Sequence, residues 1–291
     1  MTGAPDVSAY QQNLVVSEIM YKPNGGSDYE FIELRNLSTT TTLDLTPVTF
    51  SGGVDYAFAQ GTMLAPGAAV IIPKKLTTFQ SRHGNSLPTM AEWGAADSLN
   101  NTSDTLTLNY GQNAVIRSFT YQAIAPWPDL TALSGHSIVL KLPTGTATAP
   151  DHTVGTNWRA SSAVNGNPGT SDALNFAGNP SDDIDRDGLN ALLEYALATS
   201  DANNAQGRSA YSLTTDLTVP GTFLFTYQRP LAVDDVTYTL QASTDLTAAW
   251  TFANAQFLTR TAPVAGIVSE TYRVTPLGGA TKFFVRLRIV K

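Results

Sequence analysis

The chain has 291 residues and a net charge of −7, from 24 acidic against 17 basic residues, with 42% hydrophobic and 14% charged residues and no cysteine. Without Cys there is no disulfide framework, thiolate zinc site or Cys nucleophile, and with no cation block longer than Lys74-Lys75 a nucleic-acid phosphate backbone finds little to hold it. Charge well under the roughly 25% usual in soluble domains leaves a surface of Thr, Ser, Asn and Gly, which suits an extracellular β protein.

The opening MTGAPDVSAYQQ lacks the basic and apolar regions of a signal peptide. It reads either as the start of a cytoplasmic protein or as a fragment, and the acidic loop described below favours the fragment. No apolar run approaches the roughly 20 residues of a membrane span, so none is expected. From Asn13 to Leu142 come NLVVSEIMY, YEFIELRN, TLDLTPVTF, AAVIIP, DTLTLNY, AVIRSFTY and SIVLKL, divided by PNGG, SGG, APG and NYGQN. Short runs rich in β-branched and aromatic residues between Gly, Pro and Asn turns predict a sandwich or barrel. Alternation in FIELRN and DTLTLNY marks strands with one wet face. No helical periodicity is visible in this stretch.

Residues 143–181 turn rich in Pro, Gly, Ser, Thr and Asn and read as a lightly structured closing segment. Next comes DDIDRDGLNALLEY, Asp182 to Tyr195. Counting from Asp183, carboxylates stand at positions one, three and five (Asp183, Asp185, Asp187), Gly188 at six and Glu194 at twelve, which is the D-x-D-x-D-G-x₅-E calcium spacing. Hard Ca²⁺ takes six to eight oxygens: alternate residues of a tight loop point inward, the glycine allows the bend, the carbonyl of Leu189 supplies a ligand and Glu194 closes the set with both oxygens. Ala191, at position nine, has no ligand atom in its side chain, which implies a water there. The competing reading is a solvated acidic turn before a helix, yet three aspartates within five residues repel one another unless a cation reverses the interaction. Gly178, Asn179 and Pro180 forbid the helix that precedes a full EF-hand loop, so the pattern is a half-motif.

Leu189, Leu192, Leu193 and Ala196 then fall on one face of a short predicted helix, LNALLEYALA. From Ser209 onward AYSLTT, TFLFTYQR, VTYTLQAS, AAWTFAN, QFLTRT, SETYRVT and KFFVRLRIV predict a second, smaller sandwich of immunoglobulin or fibronectin type. The predicted organisation is all-β: a sandwich over 12–170, a linker with calcium loop and short helix over 171–208, and a sandwich over 209–291. The ion is expected to be architectural, pinning the helix between the two sandwiches.

The loop resembles the single calcium loops of dockerin and thrombospondin type 3 repeats, and DIDRDGLNALLEYALA is similar to a segment of large secreted proteins of the Verrucomicrobia and Planctomycetes type. Extracellular modules of this kind bind calcium at about 10⁻⁴–10⁻³ M, which implies secretion. VVSEIMYKP, EFIELRN, LDLTPVTFSGG, GTMLAPGAAVII and DSLNNTSDTLTLNYGQNAVIRSFTY, with APWPDL, GHSIVLKL and NWRASSAVNGNPG behind them, resemble the lamin tail domain of bacterial secreted proteins over about residues 12–170. That resemblance implies an immunoglobulin-like sandwich and a non-catalytic interaction role. FTYQRP, YTLQASTDLTAAW and KFFVRLRIV are similar to terminal modules of the same bacterial proteins.

Enzyme readings find little footing. Glu18 and Glu33, on neighbouring strands near Asp28 and Glu30, form a conceivable carboxylate pair for glycoside hydrolysis; bonding to backbone groups, Lys22 or Arg35 is the simpler role. Asp28 and Glu30 follow no metal-spacing rule. His83, His136 and His152 make no zinc motif, and Ser134, His136 and Ser137 sit on no nucleophile elbow. Trp127 in APWPDL and Trp93 in AEWG are the candidate ligand-binding aromatics, with Trp158 behind them; a plug over the sandwich core is their competing role. Trp250 reads as strand core. The expected function is non-enzymatic adhesion, scaffolding or extracellular assembly, with a protein, cell-surface or matrix partner or self-assembly. The alternative is a carbohydrate-binding or targeting module of a larger secreted hydrolase.

Overall fold

The computed structural model describes residues 6–112, 114–142, 146, 148–276, 278 and 282–291. The chain divides into two compact units, Met1–Ala173 and Leu174–Lys291, both built on antiparallel sheets. Among the described residues no helix is long and apolar enough to cross a membrane.

The first unit contains α1 (Ser8–Asn13), β1 (Leu14–Met20), β2 (Phe31–Asn36), β3 (Leu43–Asp44), β4 (Val48–Ser51), β5 (Tyr56–Ala57), β6 (Met63–Leu64), β7 (Ala69–Pro73), α2 (Leu76–His83), β8 (Ser103–Tyr110), β9 (Ala114–Gln122), β10 (Ile138–Leu140) and β11 (Trp158–Ala160). One sheet runs β11-β10-β1-β2-β7 and another β5-β4-β8-β9, with β3-β6 as a small separate pair. All seven residues of β1 are buried, as befits a central strand covered on both faces. The strand β9 alternates buried and open positions, so its sheet has one wet face. Between the sheets Tyr21 stacks on Tyr121 at 4.8 Å, Phe119 on Trp158 at 5.6 Å and Trp158 on Trp127 at 5.6 Å. Aromatic pairs of this kind add about 0.5–1.5 kcal/mol beyond their area burial.

Two local expectations are corrected here. The helix α2 lies where no helical period shows, because it buries only Phe79; it ends on Arg82 and His83 with Gly84 at a φ of 80°. A helix held by one anchor leaves no amphipathic stripe to read. The strand β11 lies in the segment expected to be lightly structured: Trp158, Arg159 and Ala160 are all buried, so no alternation betrays them.

The second unit contains α3 (Ala191–Leu197), β12 (Tyr211–Thr215), β13 (Phe223–Pro230), β14 (Thr237–Ser243), β15 (Thr251–Phe252), β16 (Asn254–Arg260), β17 (Ile267–Thr275) and β18 (Phe284–Val290). Its sheets are β12-β13-β17-β16 and β15-β14-β18, and their inner faces meet around Phe225, Tyr227 and Val274, with Tyr238, Leu240, Val285 and Leu287 against them. Helix α3 adds Leu197 to this core and Leu189 packs beside it. Two C-terminal helix carbonyls, which no intrahelical N–H can reach, accept from the sandwich: Tyr238 Oη donates to Ala196 O at 2.8 Å and Gln228 Nε2 to Leu197 O at 2.7 Å. Most of the segment read as a linker over 171–208 therefore belongs to the second unit, where its loop and helix form part of the packing.

Candidate metal centre

The acidic loop folds by capturing its own backbone. Asp183 Oδ2 accepts from Gly188 N at 3.3 Å, Asp185 Oδ1 from Asp187 N at 3.2 Å and Asp187 Oδ1 from Leu189 N at 2.8 Å. Gly188, at a φ of 93°, makes the bend that a side chain resists. Asn190 then caps α3 by accepting from Leu193 N at 3.0 Å, and Ala198 closes the helix in the left-handed conformation, φ 54°. That reversal brings the chain back to the loop, and Asp201 Oδ1 accepts from Ile184 N at 2.8 Å.

The carboxylates gather in two overlapping groups, Asp183 with Asp185 and Asp187, and Asp185 with Glu194 and Asp201; within each, one oxygen per residue lies within 4.8 Å of the others. Asp185 belongs to both. Glu194 is 1% exposed, and three oxygens are buried with no hydrogen-bond partner: Asp185 Oδ2, Asp187 Oδ2 and Glu194 Oε2. Burial, followed by the charge of Asp185 and by Asp201 and Asp187, pushes the Glu194 carboxyl up to about 7. Two unit negative charges 4 Å apart repel by about 4 kcal/mol at an effective dielectric of 20. The donor set is all oxygen, the chemistry of a hard divalent cation, and the orphaned oxygens fit one. Asp201 was invisible to the spacing rule, which ends at Glu194. So was Gly207, where any Cβ would collide with Asp187 Oδ2 and crowd Leu189.

The other buried acids are arranged differently. Glu18 and Glu33 are direct partners across β1 and β2 and both are 2% exposed. Glu18 Oε1 accepts from Ser137 Oγ at 2.5 Å and from Asn167 N at 3.0 Å. Glu33 accepts from Ser17 Oγ at 2.6 Å, Gly169 N at 2.6 Å and Arg35 Nη2 at 3.1 Å. They bind backbone and Arg35 and so hold the segment 167–169 against the sheet. Burial first, then Glu33, pushes the Glu18 carboxyl up to about 8.

Comparison with known families bears on part of the first unit. Residues 8–123 match the family model of the Lamin Tail Domain. The lamin tail domain is an immunoglobulin-like, non-catalytic fold. No curated protein and no solved structure matches the chain. The lamin-tail match ends before β10 and β11, yet both strands belong to the sheet that holds β1.

Within the first unit the candidate aromatics are corrected. Trp127 is 6% and Trp93 9% exposed; Trp127 stacks on Trp158 and Trp93 Nε1 donates to Asp97 O at 3.3 Å. Both plug the core and neither offers a ring face to a ligand. Ser134, His136 and Ser137 assemble no hydrolytic triad: Ser137 Oγ is bonded to Glu18, Ser134 Oγ to Asn24, and His136 Nδ1 donates to Ser161 O at 2.7 Å. His152, whose Nε2 accepts from Val16 N, is pushed down to about 3 by burial and by Arg117. Asp28 pairs with Lys75 at 3.0 Å and Glu30 accepts from Leu99 N at 3.0 Å, so neither joins a metal cluster among the described residues.

Proposed function

We propose that this chain is a non-enzymatic module of a secreted protein, acting in extracellular adhesion, scaffolding or assembly, and that a calcium ion fixes the loop and helix of its second unit. The observation that carries the reading is the set of buried, unpartnered oxygens on Asp185, Asp187 and Glu194, converging with Asp183 and Asp201. These carboxylates and the Leu189 carbonyl would hold the ion; when bound it supplies positive charge and no reaction. Its effect is transmitted by position, because Leu189 and Leu197 lie at the two ends of the same short segment and both enter the sandwich core. A site of modest affinity, about 10⁻⁴–10⁻³ M, fills outside a cell and stays empty in a cytosol, which supports secretion. The immunoglobulin-like, non-catalytic character of the lamin tail match supports an interaction role.

Differential scanning calorimetry of the full chain in millimolar calcium and in EGTA tests this. Calcium is expected to raise the melting temperature of one transition, and Asp185→Ala to abolish the shift while leaving the EGTA trace nearly unchanged. An unaltered parent trace at ten millimolar calcium, about ten times the weakest dissociation constant of such modules, would overturn the metal reading.

A further inference from the structure

The three-stranded sheet of the second unit turns Tyr238, Leu240, Val285 and Leu287 toward the core. By the two-residue alternation of a strand its other face is open, and the residues there are unusual. Register places Phe252, Gln241 and Arg286 in one row across β15, β14 and β18, with Thr239 opposite Arg288 in the next. Phe252 is 80% exposed, a large apolar ring with its surface given to water. Trp250, expected to be core, is instead half-buried, and the Arg286 guanidinium lies over its ring at 4.3 Å. Gln241 Oε1 accepts from Arg286 Nε at 3.0 Å and Nη2 at 2.8 Å, so this guanidinium is held in place before any ligand arrives. Arg288 is exposed and pairs with no carboxylate among the described residues.

The charge pattern is local. In a chain of net charge −7, the strands β14, β15 and β18 contain no acidic residue. Two guanidiniums on one strand, two strand spacings from an open aromatic ring on the same sheet face, fit a ligand with rigid apolar ring faces and anionic groups along its length. Guanidinium recognises carboxylate and sulfate oxygens through paired N–H donors, and a saccharide ring lays its C–H face on an aromatic one with little conformational entropy to lose. The row spans two strand spacings, about 10 Å, and runs across the strands; a bound peptide strand would instead run along a sheet edge. A membrane surface calls for clusters of about four to eight cations, more than this face carries.

We propose that this face binds an anionic polysaccharide, with a sugar ring on Phe252 and carboxylate or sulfate groups on Arg286 and Arg288. Its residues are none of the acidic-loop carboxylates, and holding calcium fixed keeps the two sites apart in the test. Affinity electrophoresis of the full chain at fixed calcium, through gels containing carboxymethyl dextran, dextran sulfate or uncharged dextran, tests it. The acidic chain is expected to be retarded by at least one anionic gel and not by dextran, and the gel that retards it distinguishes carboxylated from sulfated ligands. Phe252→Ala and Arg288→Ala should each weaken retention about tenfold at unchanged melting temperature, and Phe252→Tyr should keep it. Free passage through both anionic gels, equal retention in dextran, or retention that survives either alanine variant would overturn the proposal.

Discussion

Glu18 with Glu33 in the first unit and Asp185 with Glu194 in the second set the same electrostatic problem, carboxylates placed side by side out of water. In the first unit both acids find donors from the chain itself: hydroxyls from Ser17 and Ser137, N–H groups from Asn167 and Gly169, and one guanidinium from Arg35. In the second the donors go to the outer oxygens and the inner ones are left bare. The difference separates two uses of a buried acid. Where the protein completes the hydrogen bonding, the acid fastens one segment to another; where it withholds donors, the bare oxygens are what the proposed cation would satisfy.

The largest effect expected from breaking this contrast is on the satisfied side. Glu33→Ala removes the acceptor of Gly169 N–H, Ser17 and Arg35 and should cost about 3 kcal/mol of first-unit stability in denaturant unfolding, because buried donors lose a charged acceptor. On the bare side, calcium at about 100 times its dissociation constant should add about 2.7 kcal/mol, and Glu194→Gln should remove most of that gain in a calcium titration. The same gain should shrink from pH 8 to pH 5.5, because a Glu194 carboxyl pushed up to about 7 must give up its proton to bind the ion.

A smaller effect sharpens the contrast within the first unit. Glu18 has a folded value of about 8, raised from 4.5 by burial and then by Glu33. The folded chain therefore keeps a proton that the unfolded chain releases, and this contribution to stability is full below about 4.5 and lost as pH rises through about 8. Glu18→Gln should flatten that decline and leave the variant more stable than the parent at pH 8, by about 2 kcal/mol, in urea unfolding followed at pH 5 and pH 8. The smallest effect falls on the helix that backs the metal loop: Asn190→Ala loses the cap to Leu193 N and should cost the second unit about 1 kcal/mol.

The sandwich strands are legible in the sequence because short runs of β-branched and aromatic residues stand between Gly, Pro and Asn turns, and a strand with one wet face, such as β9, adds an alternation of buried and open positions. The acidic loop is legible because its carboxylates are spaced by local geometry: a tight loop fixes which residues point inward, whatever surrounds it. Asp201 is outside that rule, since it reaches the cluster only through the left-handed turn at Ala198, and an alanine there carries no turn signal. The backbone partners of Glu18 and Glu33, Asn167 and Gly169, lie well over a hundred residues downstream, in a Gly- and Asn-rich stretch whose composition reads as loose while its N–H groups are in fact engaged. Trp93 and Trp127 mislead for a related reason: a loop address suggests exposure, but the rings fold inward over the end of the core.

Gly207 stands thirteen positions past Glu194, beyond the reach of any ligand pattern, with its α-carbon facing the Asp187 carboxylate. A residue that contributes no oxygen, no charge and no apolar surface thereby sets how much room is left beside that carboxylate. Alanine at 207 would act like a ligand mutation, loosening ion capture while every coordinating side chain remains in the sequence. A search for what tunes such a loop has to include the neighbours that owe their influence to being small.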